Sequence, residues 1–149
     1  MRTVEFKTER FFMMRLGHGS DVLKEITDFV RKEKISAATF TAIGALKNCK
    51  LAYYDQKKKE YAVTDIQGPC EITSCVGNVS IHNGGPFVHA HVVIGDDRGG
   101  TKSGHLLKGT VFAAEVHLQE LHGPKMERVK DDVTGLALWQ GGKVDGYPS

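Results

Sequence analysis

Turn-forming clusters cut this chain at short intervals, and that spacing constrains the fold more than any other feature. Asp55-Gln-Lys-Lys-Lys59, Gly68-Pro69, Asn83-Gly-Gly-Pro86, Gly95-Asp-Asp-Arg-Gly-Gly100 and Gly123-Pro124 separate runs rich in valine, isoleucine, threonine and aromatic residues. The runs predict strands over 10–16, 37–46, 50–54, 60–66, 71–81, 87–94, 106–121 and 133–140. Consecutive strands joined by short turns pair antiparallel, because a parallel pair needs a crossover of about a dozen residues or more. One segment has a different period. Val22, Leu23, Ile26, Phe29 and Val30 mark one helical face, with Ser20 placed to cap it and Asp21 to complement its positive end. The expected fold class is α+β, an antiparallel β-sheet covered by one main α-helix.

Hydrophobic residues make up 40% of the 149 and charged residues 26%, enough for one compact core and too little chain for two. A single domain is expected over 1–140. Residues 141–149, with three glycines and a proline among few apolar side chains, are expected to form a flexible tail. No run approaches the ~18 consecutive apolar residues that cross a bilayer, and residues 1–10 alternate charged with apolar side chains, unlike a signal peptide. Those features predict no membrane partner and a cytoplasmic location. The three cysteines, Cys49, Cys70 and Cys75, are odd in number and form no Cys-x-x-Cys pair, so reduced, buried thiols are expected. A net charge of +2 does not by itself announce a nucleic-acid partner.

Seven histidines stand out in a chain of this length. In Phe87-Val-His-Ala-His-Val-Val-Ile94, a strand sends His89 and His91 to one face and Val88, Ala90, Val92 and Ile94 to the other. A lone His-x-His on a strand is usually just a solvated polar face. The third histidine changes that balance. A reversal centred near Arg98 would set His105 opposite His91, with β-carbons ~5 Å apart and both rings on one face. Three imidazoles would then converge within reach of a divalent ion such as zinc, leaving a fourth position for water or a ligand. His18, His82, His117 and His122 read as surface residues. Glu115, in Ala113-Ala-Glu-Val-His117, has two readings. It could support a histidine N–H, ligate the metal or carry a proton. More ordinarily, it would pair with an arginine or lysine on the neighbouring strand.

The order Gly44-Ala-Leu46, Tyr53-Tyr-Asp55, Gly68-Pro69 with Glu71-Ile72, Gly77-Asn-Val-Ser80, Gly85-Pro-Phe-Val-His-Ala-His91, Gly104-His-Leu106, Gly109-Thr-Val111 and Glu115-Val116 resembles the PPC domain, the plant and prokaryote conserved domain. The resemblance runs from about residue 8 to Gln140. It implies an α+β fold, a homotrimer and, as in prokaryotic members, a metal held by histidines that match His89, His91 and His105. Prokaryotic members are commonly described as predicted DNA-binding proteins. Plant members contact DNA through an AT-hook, but this chain has no Arg-Gly-Arg-Pro, so that mode of minor-groove reading is not available to it.

Three functions follow as expectations. The first is a trimeric protein whose open metal position takes a small-molecule ligand, with metal lost below about pH 6 as ordinary histidines protonate. The second is DNA binding through Lys57-Lys-Lys59, a run that more often marks only a solvated turn. The third is a trimeric protein-interaction module. No phosphate loop, nucleophile elbow or dinucleotide fingerprint is present, and no motif assigns a reaction.

Overall fold

A computed structural model describes residues 3–140 of the chain, so the tail expected at 141–149 lies outside the described residues. The elements are β1 (Lys7–Arg15), α1 (Val22–Lys32), β2 (Ala38–Asp55), β3 (Glu60–His82), β4 (Gly85–Gly95), β5 (Thr101–His122), β6 (Glu127–Lys130) and β7 (Ala137–Gln140). The chain is mostly strand with one short helix, as its turn spacing predicts. β2 pairs with β3 and β5, and β4 pairs with those same two strands, so β2, β3, β4 and β5 form a closed hydrogen-bonded circuit. β1 extends the sheet beyond β5, and β6 and β7 extend it beyond β3. Every pairing is antiparallel except the short contact between β3 and β6, which is parallel.

Two of the expected breaks are not breaks. The predicted pairs of strands at 37–46 and 50–54, and at 60–66 and 71–81, are each one long strand. Across from Gly68-Pro69 the register slips: Asn48 faces Gln67 and Leu46 faces Cys70. Gly68 and Pro69 thus oppose Lys47 alone, in a bulge where proline's missing N–H removes no ladder bond. β6 lies in a segment where no strand is predicted, because Glu127-Arg-Val-Lys130 lacks the apolar alternation of a half-buried strand.

The helix forms where its period predicts. Val22, Ile26 and Val30, four residues apart, are fully buried and join the core, and α1 packs against β4 and β5. Asp21, not Ser20, is the cap: its Oδ1 accepts from Lys24 N at 2.9 Å and its Oδ2 from Gly109 N at 2.9 Å. Ser20 Oγ instead donates to Gly17 O. The aspartate wins because its second oxygen ties the helix start to β5. A serine hydroxyl at that position has no second oxygen with which to do both.

Gly77 sets how closely β2, β3 and β4 pack. It faces Phe40 on β2 and Ala90 on β4. A β-carbon there would meet the Phe40 ring at 2.2 Å and the His89 carbonyl oxygen at 2.6 Å. Absence of a side chain is what lets a buried phenylalanine lie under the strand that carries the histidines.

Candidate metal centre

β4 alternates as its sequence requires. Val88, Ala90, Val92 and Ile94 are buried in the core, and His89 and His91 point away from it. The Asp96–Gly100 turn is fixed by Asp96 Oδ1, which accepts from Arg98 N at 2.9 Å and Gly100 N at 2.7 Å. The reversal sets His91 opposite His105. At His105, β5 changes partners, since the same residue also faces Ala52 of β2. Gly104 allows the crossing, because a β-carbon on it would stand 2.9 Å from the Ala52 carbonyl oxygen.

The three rings converge. Centroids lie 5.2 Å apart for His89 and His91, 4.9 Å for His89 and His105, and 5.5 Å for His91 and His105. One nitrogen from each ring can be chosen so that all lie within 4.8 Å of one another. A tetrahedral ion with bonds of about 2.1 Å sets its ligand atoms ~3.4 Å apart, so modest ring rotation closes the set. His105 Nδ1 is buried without any hydrogen-bond partner and is free to be a ligand atom.

Electrostatics keep two of the rings in the ligating form. Burial pushes the His89 pKa down to about 4, with further lowering from Arg128 and the two neighbouring histidines. Burial also lowers that of His105, helped by His91 and then Arg128. Only neutral imidazole has a lone pair to give, so these shifts favour metal over proton. The rings open onto a cavity of about 610 Å³ bounded by Tyr54, Tyr61, Phe87, Arg128 and Leu138. Tyr61 packs on His105 with centroids 5.5 Å apart, and its hydroxyl pKa is raised, chiefly by burial. The donor set fits a divalent ion with at least one position left for a ligand.

A model of the Plants and Prokaryotes Conserved (PCC) domain matches residues 3–122. The chain belongs to that family. The metal-containing protein AF0104 from Archaeoglobus fulgidus is 42% identical, with a TM-score of 0.91 over 93% of this chain and 99% of that one. A plant- and prokaryote-conserved protein from Pyrococcus horikoshii is 44% identical, with a TM-score of 0.90 over 97% of this chain and 100% of that one. A candidate DNA-binding protein from Ralstonia eutropha is 25% identical, with a TM-score of 0.77 over 85% of this chain and 88% of that one. None of the curated proteins compared with the chain matches it.

Elsewhere in this PCC domain the sequence expectations fare unevenly. Glu115 is not beside the histidines. It is exposed on the outer side of β5, opposite Arg15 of β1, and lines a different, smaller pocket with Met13 and His117. The ordinary strand position suits it, since the buried side of β5 is taken by Ala114 and Val116, but the ion pair expected there is not among those of the described residues. His18 and His122 are exposed, while His82 and His117 are half-buried. The three cysteines are free and buried, as expected. No helix among the described residues is long and apolar enough to cross a membrane.

Arg128 is the charged cavity residue that sequence reasoning missed. It rises from β6, whose parallel pairing with His82 of β3 sets the side chain across to Asn78, Ser80 and His89. Nothing in a four-residue charged segment announces that placement.

Proposed function

We propose that this PCC-domain protein binds a divalent metal, zinc, through His89, His91 and His105, and that a small-molecule ligand takes the open coordination position. The single observation that carries the reading is the convergence of three imidazoles, with one nitrogen from each within 4.8 Å of the others. When bound, zinc would supply Lewis-acid polarisation of a ligand oxygen. The chain's own residues do the rest: β4 and β5 orient the rings, burial keeps His89 and His105 neutral, and Tyr61 and Phe87 line the cavity beside them. The description of the Archaeoglobus relative as metal-containing supports the assignment. Metal analysis of purified protein tests it, with about one zinc per chain expected in the wild type. His89→Ala, His91→Ala and His105→Ala should each lose most of it, and undiminished zinc in folded forms of all three variants would refute the site.

The working form in this reading is a cytoplasmic homotrimer of one 1–140 domain. Its support is a row of exposed apolar side chains on β1 and β2, with Phe11, Met13 and Ile43 each more than half exposed. Surfaces of that kind are usually covered by a partner. Light scattering tests the assembly, and a monomer mass at micromolar concentration would overturn it.

DNA binding is the second reading. It is supported by the Ralstonia relative's description and by the β2–β3 turn, where Asp55 Oδ1 accepts from Lys57 N and Lys58 N and leaves three lysines exposed. A flat salt response of any DNA affinity, in place of a log–log slope of about −0.9 per phosphate, would dismiss it.

A further inference from the structure

Arg128 is a guanidinium only 8% exposed, yet it belongs to none of the ion pairs among the described residues. Its hydrogen bonds go to neutral acceptors. Nε donates to Ser80 Oγ at 2.9 Å, Nη1 to Ala137 O at 3.0 Å and Nη2 to Asn78 Oδ1 at 3.0 Å. Phe87 and Trp139 flank it, with centroids 5.3 and 5.2 Å from Cζ. Aromatic faces and neutral oxygens offset only part of the cost of burying a full charge, which is why buried arginines ordinarily carry a carboxylate.

The remaining donors point to where that carboxylate goes. Arginine has five N–H groups, and the bonds above use three. Another reaches only His89 Nδ1, at 3.4 Å. That last contact is incompatible with metal ligation. A neutral imidazole has a single lone-pair nitrogen, so once His89 gives it to an ion, neither ring nitrogen can accept from Arg128. Loading the centre therefore frees an N–H on the cavity side, beside the ligand set.

We propose that the cavity binds a small organic carboxylate, one oxygen completing the metal's coordination and the other accepting from Arg128, with the apolar body against Phe87 and Leu138. The inference rests on the three-histidine reading above and adds the chemical class of the ligand. A carboxylate carries the two acceptor oxygens this arrangement needs, one for the ion and one for the freed N–H, and its charge strengthens the hydrogen bond to the guanidinium. Among the described residues no lysine lines the cavity and Arg128 is its one permanent side-chain cation, which suits a singly charged acid better than phosphate. The volume of about 610 Å³ accommodates a small molecule.

The test uses the full chain loaded with Co²⁺, whose visible absorption reports ligands entering its coordination sphere. Butyrate should change the spectrum saturably, and butyramide, of the same shape without the charge, should bind at least tenfold more weakly. Arg128→Gln should weaken butyrate at least tenfold with metal content unchanged, and Arg128→Lys should fall between. Equal affinity for acid and amide, wild-type butyrate affinity in fully loaded Arg128→Gln, or a tenfold preference for inorganic phosphate would each overturn the proposal. Should Arg128→Gln fail to fold, the acid–amide comparison on the wild type decides alone. Wild-type protein that takes up no metal sinks the histidine reading and this proposal together, whereas full loading with indifference to butyrate sinks only this one.

Discussion

Replacing Gly77 by alanine perturbs the packing and the metal centre through separable contacts. The new β-carbon would stand 2.2 and 2.4 Å from Phe40 Cζ and Cε1, and 2.6 Å from the His89 carbonyl oxygen. Ordinary contacts begin near 3.4 Å, so the ring must give by about an ångström and the carbonyl by about 0.8 Å. Phe40 is 2% exposed and has nowhere to swing. Overpacking of this kind costs ~1–3 kcal/mol, and the entropy alanine removes from the unfolded chain returns ~0.4–1 kcal/mol. The high end of the overpacking range applies because one of the obstacles is backbone. A net loss of about 2 kcal/mol is expected, a fall of ~4–8 °C in Tm for a chain of this size. Moving the His89 carbonyl also loosens β4 beyond the ~0.5 Å that a preorganised site tolerates, so zinc affinity should fall at least tenfold. Phe40→Leu in the same chain relieves the ring contacts and leaves the carbonyl contact. The double variant should therefore be more stable than the sum of the two changes by ~1 kcal/mol, with zinc affinity still reduced. Urea unfolding of metal-free protein at one fixed concentration measures the first quantity, and chelator competition measures the second. A Gly77→Ala loss below about 0.5 kcal/mol, well under the overpacking range, or strictly additive stabilities, would refute the packing argument.

Metal-free protein should lose stability as pH falls from about 6.5 toward 4, because the His89 pKa is depressed to about 4 in the fold and the unfolded chain binds the proton first. The half-buried ring limits the loss to roughly 1–2 kcal/mol. Unfolding midpoints at pH 7.5 and 4.5 measure it, and an undiminished drop in His89→Ala would contradict the assignment. The same depression carries zinc retention below the pH 6 expected for ordinary histidines, which metal analysis after dialysis at pH 5.5 checks. Burial raises the Cys49 thiol to about 12 and the Cys75 thiol to about 11. Neither should react with iodoacetamide in native protein at pH 8 over an hour, and both should react in urea. Rapid native labelling of either would show that the core opens far more readily than its packing implies.

The three-histidine cluster was legible because strand geometry is local. Alternation from Phe87 to Ile94 and equal distances to the Asp96–Gly100 turn suffice to pair His91 with His105. The fold class was legible for the same reason. Strand continuity was not: Gly68-Pro69 reads as a stop, and only the bulge against Lys47 lets β3 run through it. Asp21 as the cap depends on Gly109, far away in sequence, and Arg128 reaches the cavity through a parallel contact of two residue pairs. Glu115 shows the converse, since one reading set it beside the histidines but its side of β5 faces outward.

His105 is the fork at which β5 leaves β4 and takes up β2. Any breathing motion that unzips the circuit from this joint must part His105 from His91 or from Ala52. An ion gripped by His91 on β4 and His105 on β5 would oppose the first of these partings, so saturation of the centre and sealing of the β4–β5 seam become a single equilibrium. Amide protons along 101–105 would then exchange with solvent more slowly as metal is added.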